Sequence, residues 1–160
     1  MKLRDMSSKD RPHMEEFLYQ AIFVPPGTEP FSREIIFRPD MIVYFDGFDP
    51  EINNGDCGIL AEDNGKIVGM AWVRLINGDG YVDDKTPILS ISLLSEYRGQ
   101  GIGTSIMKRI FDLIKERGFH QTSLSVQAAN PAQRLYQRLG YEIHEIIHGN
   151  VEVWTMLKRL

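Results

Sequence analysis

The run Arg98-Gly99-Gln100-Gly101-Ile102-Gly103 restricts what this chain can become more than any other part of it. It follows an apolar, β-branched stretch, Pro87-Ile88-Leu89-Ser90-Ile91-Ser92-Leu93-Leu94, that reads as a central strand. It opens the segment Ile102 to Arg117, where Ile102, Ile106, Ile110, Leu113 and Ile114 recur at spacings of three and four, as on an amphipathic helix. A buried strand thus passes through a glycine turn into a helix, the junction of an α/β fold. The first amide N–H groups of a helix have no partner within it, and the positive end of its dipole lies there. Glycines let an anion approach the backbone, and Gln100 to Ser105 carries no Asp or Glu to occupy the place. Arg98 adds a positive charge at the mouth of the turn.

P-loops, dinucleotide folds and CoA sites all use glycines after a strand, so spacing must separate them. A P-loop needs Gly-Lys-Ser/Thr, and here Gly103 is followed by Thr104 with no lysine. A dinucleotide fingerprint needs Gly-x-Gly-x-x-Gly and an acid ending the next strand. The glycines here run Gly99-x-Gly101-x-Gly103, and that strand ends at Val126-Gln127.

The rest of the chain supplies a regular alternation of elements. Met1 to Ser7 reads as a strand, and Ser7, Ser8, Asp10 and Pro12 mark the start of a helix carrying Met14, Phe17, Leu18, Ala21 and Ile22. Pro25-Pro26-Gly27-Thr28-Glu29-Pro30 is loop, Arg33 to Tyr44 a short helix broken at Pro39, and Asp46 to Gly55 loop again. Cys57 to Glu62 and Lys66 to Ile76 form a hairpin around Asn64-Gly65. After the polar stretch Asn77 to Thr86 come the central strand and its helix, then a strand over Thr122 to Gln127. A short helix follows Asn130-Pro131, and a final hairpin runs from Tyr141 to Ile147 and Val151 to Leu157. The order β-α-α-β-β-β-α-β-α-β-β predicts one domain over residues 1–160 with one mixed sheet and helices on both faces.

The formal charge of −4 argues against a general nucleic-acid binder. Cys57 is alone, so no internal disulfide forms, and no Cys/His spacing suggests a metal. Neither a signal peptide nor a run of roughly 20 apolar residues is present, which predicts a cytoplasmic location without a membrane span.

Two motifs carry a resemblance. Arg98, Gly101 and Gly103 match the Arg/Gln-x-x-Gly-x-Gly/Ala signature of the GNAT N-acetyltransferase superfamily. Ser125 to Tyr141, with a helix start at Asn130-Pro131-Ala132 after a strand and Leu135-Tyr136-x-x-x-Gly140-Tyr141 at its end, is similar to that family's second signature. The likeness is sharp over Ile88 to Tyr141 and topological before it, and it implies a mainly antiparallel twisted sheet. By this resemblance the donor is acetyl-CoA. Main-chain groups of Ile91 and Leu93 would pair with the pantetheine arm, Arg98, Gly99, Gln100, Gly101, Ile102, Gly103 and Thr104 would hold the pyrophosphate, and Asn130 would hydrogen-bond the arm. Tyr136 stands in the family position of the acid that protonates the departing sulfur.

Acyl transfer also needs an oxyanion donor and a neutral amine. A backbone N–H near Leu93, freed by a bulge and splay of the strand, is the candidate donor. The glutamates of many family members are absent, because their positions hold Ile88 and Ser125. Water on Ser90, Ser92 or Ser125, or the carboxylates of Asp83, Asp84 or Glu62, are the candidate bases. Glu29, Glu34, Asp40, Asp46, Asp49, Glu51 and Asp56 could draw an amine, and Phe23, Phe31, Phe37, Tyr44, Phe45 and Phe48 could line its pocket or fill core. The expectation is direct transfer of acetyl to a primary amine. A CoA-binding module without turnover and a nucleotide-binding protein are the rivals, and Val151, Val153 and Trp154 are a candidate homodimer surface.

Overall fold

The computed structural model describes residues 1–160. Lys2–Asp5 forms β1, and the chain then turns on a capping box in which Ser7 accepts from Lys9 N–H and Asp10 accepts from Ser7 N–H. A 3-10 turn leads into α1 (Arg11–Ala21), where Pro12 sits in the first turn and forfeits no helical hydrogen bond. Arg4 fastens this corner, donating to both oxygens of buried Asp10 (2.8 and 2.9 Å) and to Glu62 (2.8 Å). The Pro39 break is real: a 3-10 segment, Arg33–Phe37, precedes a single-turn α2, Pro39–Ile42. β2 (Cys57–Asp63) and β3 (Lys66–Arg74) join through Asn64 and Gly65, both at positive φ (51° and 82°) as a two-residue hairpin requires. Then follow β4 (Ile88–Leu93), α3 (Ile102–Glu116), β5 (Gln121–Gln127), α4 (Ala132–Arg138), β6 (Glu142–His148) and β7 (Glu152–Arg159).

The strands lie in the order β1-β2-β3-β4-β5-β7-β6. Every neighbouring pair is antiparallel except β4 and β5. Each face carries its own apolar cluster. Ile106, Met107, Ile110 and Ile114 of α3 pack over Ile59, Ala61, Val68, Ala71 and Val73, while Met14, Phe17 and Leu18 of α1 pack with Phe48, Leu60, Met70 and Trp72. The expected mixed, mainly antiparallel sheet with helices on both faces is therefore present. Cys57 is sealed in the α3 layer at 1% exposure, and burial pushes its thiol pKa up to about 12. At the far edge β6 is exposed along its whole length, with Ile143, Ile146 and Ile147 uncovered.

One sequence expectation changes here. Asp56 is no lure for an amine: it is buried against Arg74, with Nε–Oδ1 at 2.9 Å and Nη2–Oδ2 at 3.3 Å, and it also accepts from Asp49 N–H. Asp40 pairs with Arg38, and Glu51 accepts from Ser8 N–H. Of the aromatic set, Tyr44, Phe45 and Phe48 are core, while Phe31 and Phe37 are exposed.

Candidate functional site

β4 and β5 meet at one register position, Ile88 opposite Ser123, and their ladder goes no further. Ser123 N–H donates to Pro87 O (3.1 Å) at that point, and beyond it the strands part into a crevice. The main-chain groups that face the crevice follow from the β3–β4 ladder. Leu94 N–H donates to Val68 O (2.9 Å), so alternation turns Ser92 and Ser90 toward β3 and leaves Leu89, Ile91 and Leu93 facing β5. The N–H and C=O of Ile91 and the N–H of Leu93 thus have no strand partner, and Leu93 O is held by Arg98 Nε at 3.2 Å. The β3–β4 ladder has no register shift, so divergence of β4 from β5, not a bulge, frees these groups.

The glycine turn sits at the open end of the crevice. Gly99 and Gly101 have φ of 75° and 82°, which an L-residue adopts only with strain, and a Cβ at either would project into open space. The amide N–H groups from Gly99 through Thr104 donate to no protein acceptor; the first amide that does is Ser105, to Gly101 O at 3.2 Å. Gly101 is the N-cap of α3, whose first turn holds no acidic residue. These free donors, the helix dipole and Arg98 make an anion cradle. Gly103 lies between Leu93 and Leu135, each 3.7 Å from where its Cβ would be, so α4 borders the same space.

Tyr136 stands on α4, one residue after Leu135. Its ring packs edge-on against Tyr141 with centres 6.0 Å apart, and no protein group hydrogen-bonds its hydroxyl. Burial pushes the phenol pKa up to about 12, so at neutral pH it is protonated. Asn130 Oδ1 accepts from Ala132 N–H (3.0 Å) and so orders the entry to α4, while its Nδ2 remains free to donate.

The candidate bases divide sharply. Ser92 is committed to Phe17 O (2.6 Å) and Glu62 to Arg4, while Asp83 accepts from Lys85 N–H (2.8 Å) and Thr86 Oγ1 (2.7 Å). Asp84 accepts from Tyr81 Oη at 2.5 Å. Ser90 and Ser125, half-buried on the α1 face of the parted strands, keep hydroxyls without a protein partner. No carboxylate stands on β4 or β5. No cluster of three or more side chains suited to a metal forms, and no helix is long and apolar enough to cross a membrane. Asn77 to Thr86, read from the sequence only as a polar stretch that holds the candidate bases Asp83 and Asp84, crosses to β5 and buries Gly80 against it.

A parallel strand pair that parts above an anion cradle at a helix start is a place for an extended, phosphate-bearing ligand, and comparison with known proteins gives the family. The signature of the Acetyltransferase (GNAT) family spans residues 17–141. A Bacillus subtilis protein provisionally named as a ribosomal-protein alanine N-acetyltransferase is 27% identical over 141 residues, covering 88% of this chain and 80% of that protein. A Methanocaldococcus jannaschii protein named as an uncharacterized N-acetyltransferase is 28% identical over 149 residues, covering 92% of this chain and 81% of that protein. Among solved structures, the Escherichia coli ribosomal-protein-S18-alanine N-acetyltransferase aligns with TM-score 0.68 at 18% identity, covering 99% of this chain and 92% of that one. A Sinorhizobium meliloti phosphinothricin acetyltransferase in complex with acetyl-CoA aligns with TM-score 0.70 at 23% identity, covering 99% and 88%. The chain belongs to the acetyltransferase (GNAT) family, and it is an enzyme of the N-acetyltransferase class.

Proposed function

We propose that this protein transfers acetyl from acetyl-CoA to a primary amine by direct attack, with Tyr136 as the general acid. The observation that carries the reading is the continuity of unpaired main-chain donors, from Ile91 and Leu93 in the crevice to Gly99 through Thr104 at its mouth. The pyrophosphate of the cofactor fits the cradle. The pantetheine arm, an amide-bearing chain, fits between β4 and β5 as a substitute strand, with Asn130 Nδ2 as a further donor. The amine nitrogen adds to the thioester carbonyl, a crevice N–H stabilises the oxyanion, and the C–S bond then breaks. The Tyr136 proton passes to the departing sulfur, and the amine loses its proton through water at Ser90 and Ser125.

The lack of a carboxylate on β4 and β5 narrows the acceptor. At pH 7.5 about a third of an α-amine with pKa near 7.8 is neutral, against about 0.1% of a lysine with pKa near 10.4. A site without a strong base favours the former, in keeping with the relatives named for alanine acetylation. Peptides beginning with alanine are therefore the first acceptors to test, with acetyl-CoA consumption and peptide acetylation read together. Tyr136→Phe should lower kcat by about 100-fold or more with acetyl-CoA binding retained. An unchanged kcat would remove Tyr136 from the mechanism. Tight acetyl-CoA binding with no turnover on any amine would favour a cofactor-binding module.

A further inference from the structure

The crevice has an apex, where β4 and β5 are still joined, and the polypeptide there is tied in an unusual way. The connection from β3 to β4 does not simply return to its own strand. It overshoots, lies against β5, and then comes back as β4. Ser123 Oγ donates to Gly80 O at 2.6 Å, and Thr122 Oγ1 donates to Pro87 O at 2.9 Å. Ser123 N–H donates to the same Pro87 oxygen, and Gln121 Nε2 donates to Thr86 Oγ1 at 2.7 Å. Thr122 and Ser123 are both fully buried. Gly80, at φ +94°, lies so close to β5 that a Cβ would stand 2.9 Å from Leu124 C and 3.1 Å from Ser125 N. From the other side Tyr44 Oη donates to Asp79 O at 3.2 Å, anchoring the segment to the α1 layer.

We propose that Gly80 and Ser123 form a clasp that sets the opening of the crevice, making them positioning residues for acetyl transfer; this rests on the cofactor reading above. The physical case is one of leverage. Leu124 and Ser125 are the first β5 residues beyond the last bridge to β4, and they are the ones that Gly80 touches. A small displacement there changes the direction in which β5 leaves β4, and so the width available to the pantetheine arm along Ile91 and Leu93. The glycine turn lies at the opposite end of β4 and does not depend on that width. The clasp therefore governs one half of the cofactor and not the other.

That asymmetry is the test. Acetyl-CoA must enter the crevice, whereas 3′-phosphoadenosine diphosphate, the half of the cofactor that ends at the pyrophosphate, needs only the cradle. In Ser123→Ala, which removes the hydroxyl holding Gly80, acetyl-CoA affinity measured by calorimetry should fall about tenfold, and affinity for the nucleotide half by less than twofold. Gly80→Ala should act in the same direction and more strongly, because its Cβ meets backbone atoms of β5. If that variant does not fold, Ser123→Ala alone decides. Equal loss for both ligands, or no loss for either, in variants of a wild type that binds both would overturn the clasp. A wild type that binds neither ligand would instead overturn the cofactor reading.

Discussion

Asp56→Ala should destabilise this protein by about 3 kcal/mol, near the lower end of the range for breaking a buried ion pair. Asp56 and Arg74 have side-chain exposures of only 4% and 11%, and two hydrogen bonds join them. Asp56 Oδ2 also accepts from Asp49 N–H (3.0 Å) and Asn53 Nδ2 (3.2 Å), so truncation leaves several buried donors without their acceptor. The loss falls short of the upper end because Arg74 Nη1 keeps the carbonyls of Val43 (2.9 Å) and Asp46 (2.6 Å). Urea unfolding is the assay: with a slope of about 2 kcal/mol per molar, the midpoint should drop by about 1.5 M at unchanged slope. Arg74→Met completes a double-mutant cycle, and the double variant should be more stable than the sum of the singles predicts. A cost below about 1 kcal/mol for Asp56→Ala, or strict additivity in the cycle, would refute the reasoning.

The remaining expectations concern protons and one buried hydroxyl. Since burial pushes Tyr136 up to about 12, kcat/KM should rise with pH as the acceptor amine deprotonates and should show no fall from loss of the acid below about pH 10. A falling limb between pH 8 and 10 that disappears in Tyr136→Phe would contradict this. Burial alone would raise the Asp10 carboxyl pKa, but hydrogen bonds from Arg4 and Ser7 N–H outweigh it and hold the pKa below the usual range. A depressed carboxylate contributes stability above its unfolded pKa of about 3.9 and loses it as pH falls through the folded value. The stability gap between wild type and Asp10→Asn, followed by thermal melts, should therefore be constant from pH 6 to 7 and shrink below about pH 4. The Tyr141 hydroxyl is buried without a well-formed hydrogen bond, and the nearby Thr122 hydroxyl already donates to Pro87 O. Tyr141→Phe should accordingly be neutral or stabilising by up to about 1 kcal/mol, and a destabilisation beyond that would reveal a missing partner.

What could be read from the sequence was local. The glycine turn, the Asn64-Gly65 hairpin and the isoleucine stripe of α3 each depend on residues close together in the chain, and each was found where expected, with ends within a few residues. The crevice was legible only through the family resemblance, because two parting strands leave no periodic signature. The clasp was hidden for a different reason. Asn77 to Thr86 has the composition of a solvated loop, and Ser123 takes a serine's place in an alternating strand, so neither shows that they meet across more than forty positions of sequence. The acidic stretch from Asp40 to Asp56 misled in the same way, since charge counts do not reveal that Arg74 is the partner of Asp56. The absence of a conventional base at Ile88 and Ser125 was plain from the start, and the structure supplies no carboxylate on β4 or β5 in its place.

The sealed position of Cys57 makes the wild-type protein its own labelling blank. Thiol-directed reagents act on the thiolate, and a buried thiol with its pKa near 12 presents almost none. One cysteine introduced at an uncovered place such as Val151 would then carry a dye alone. Movements of the β6–β7 turn could be followed during turnover without first rebuilding the core around a replacement for Cys57.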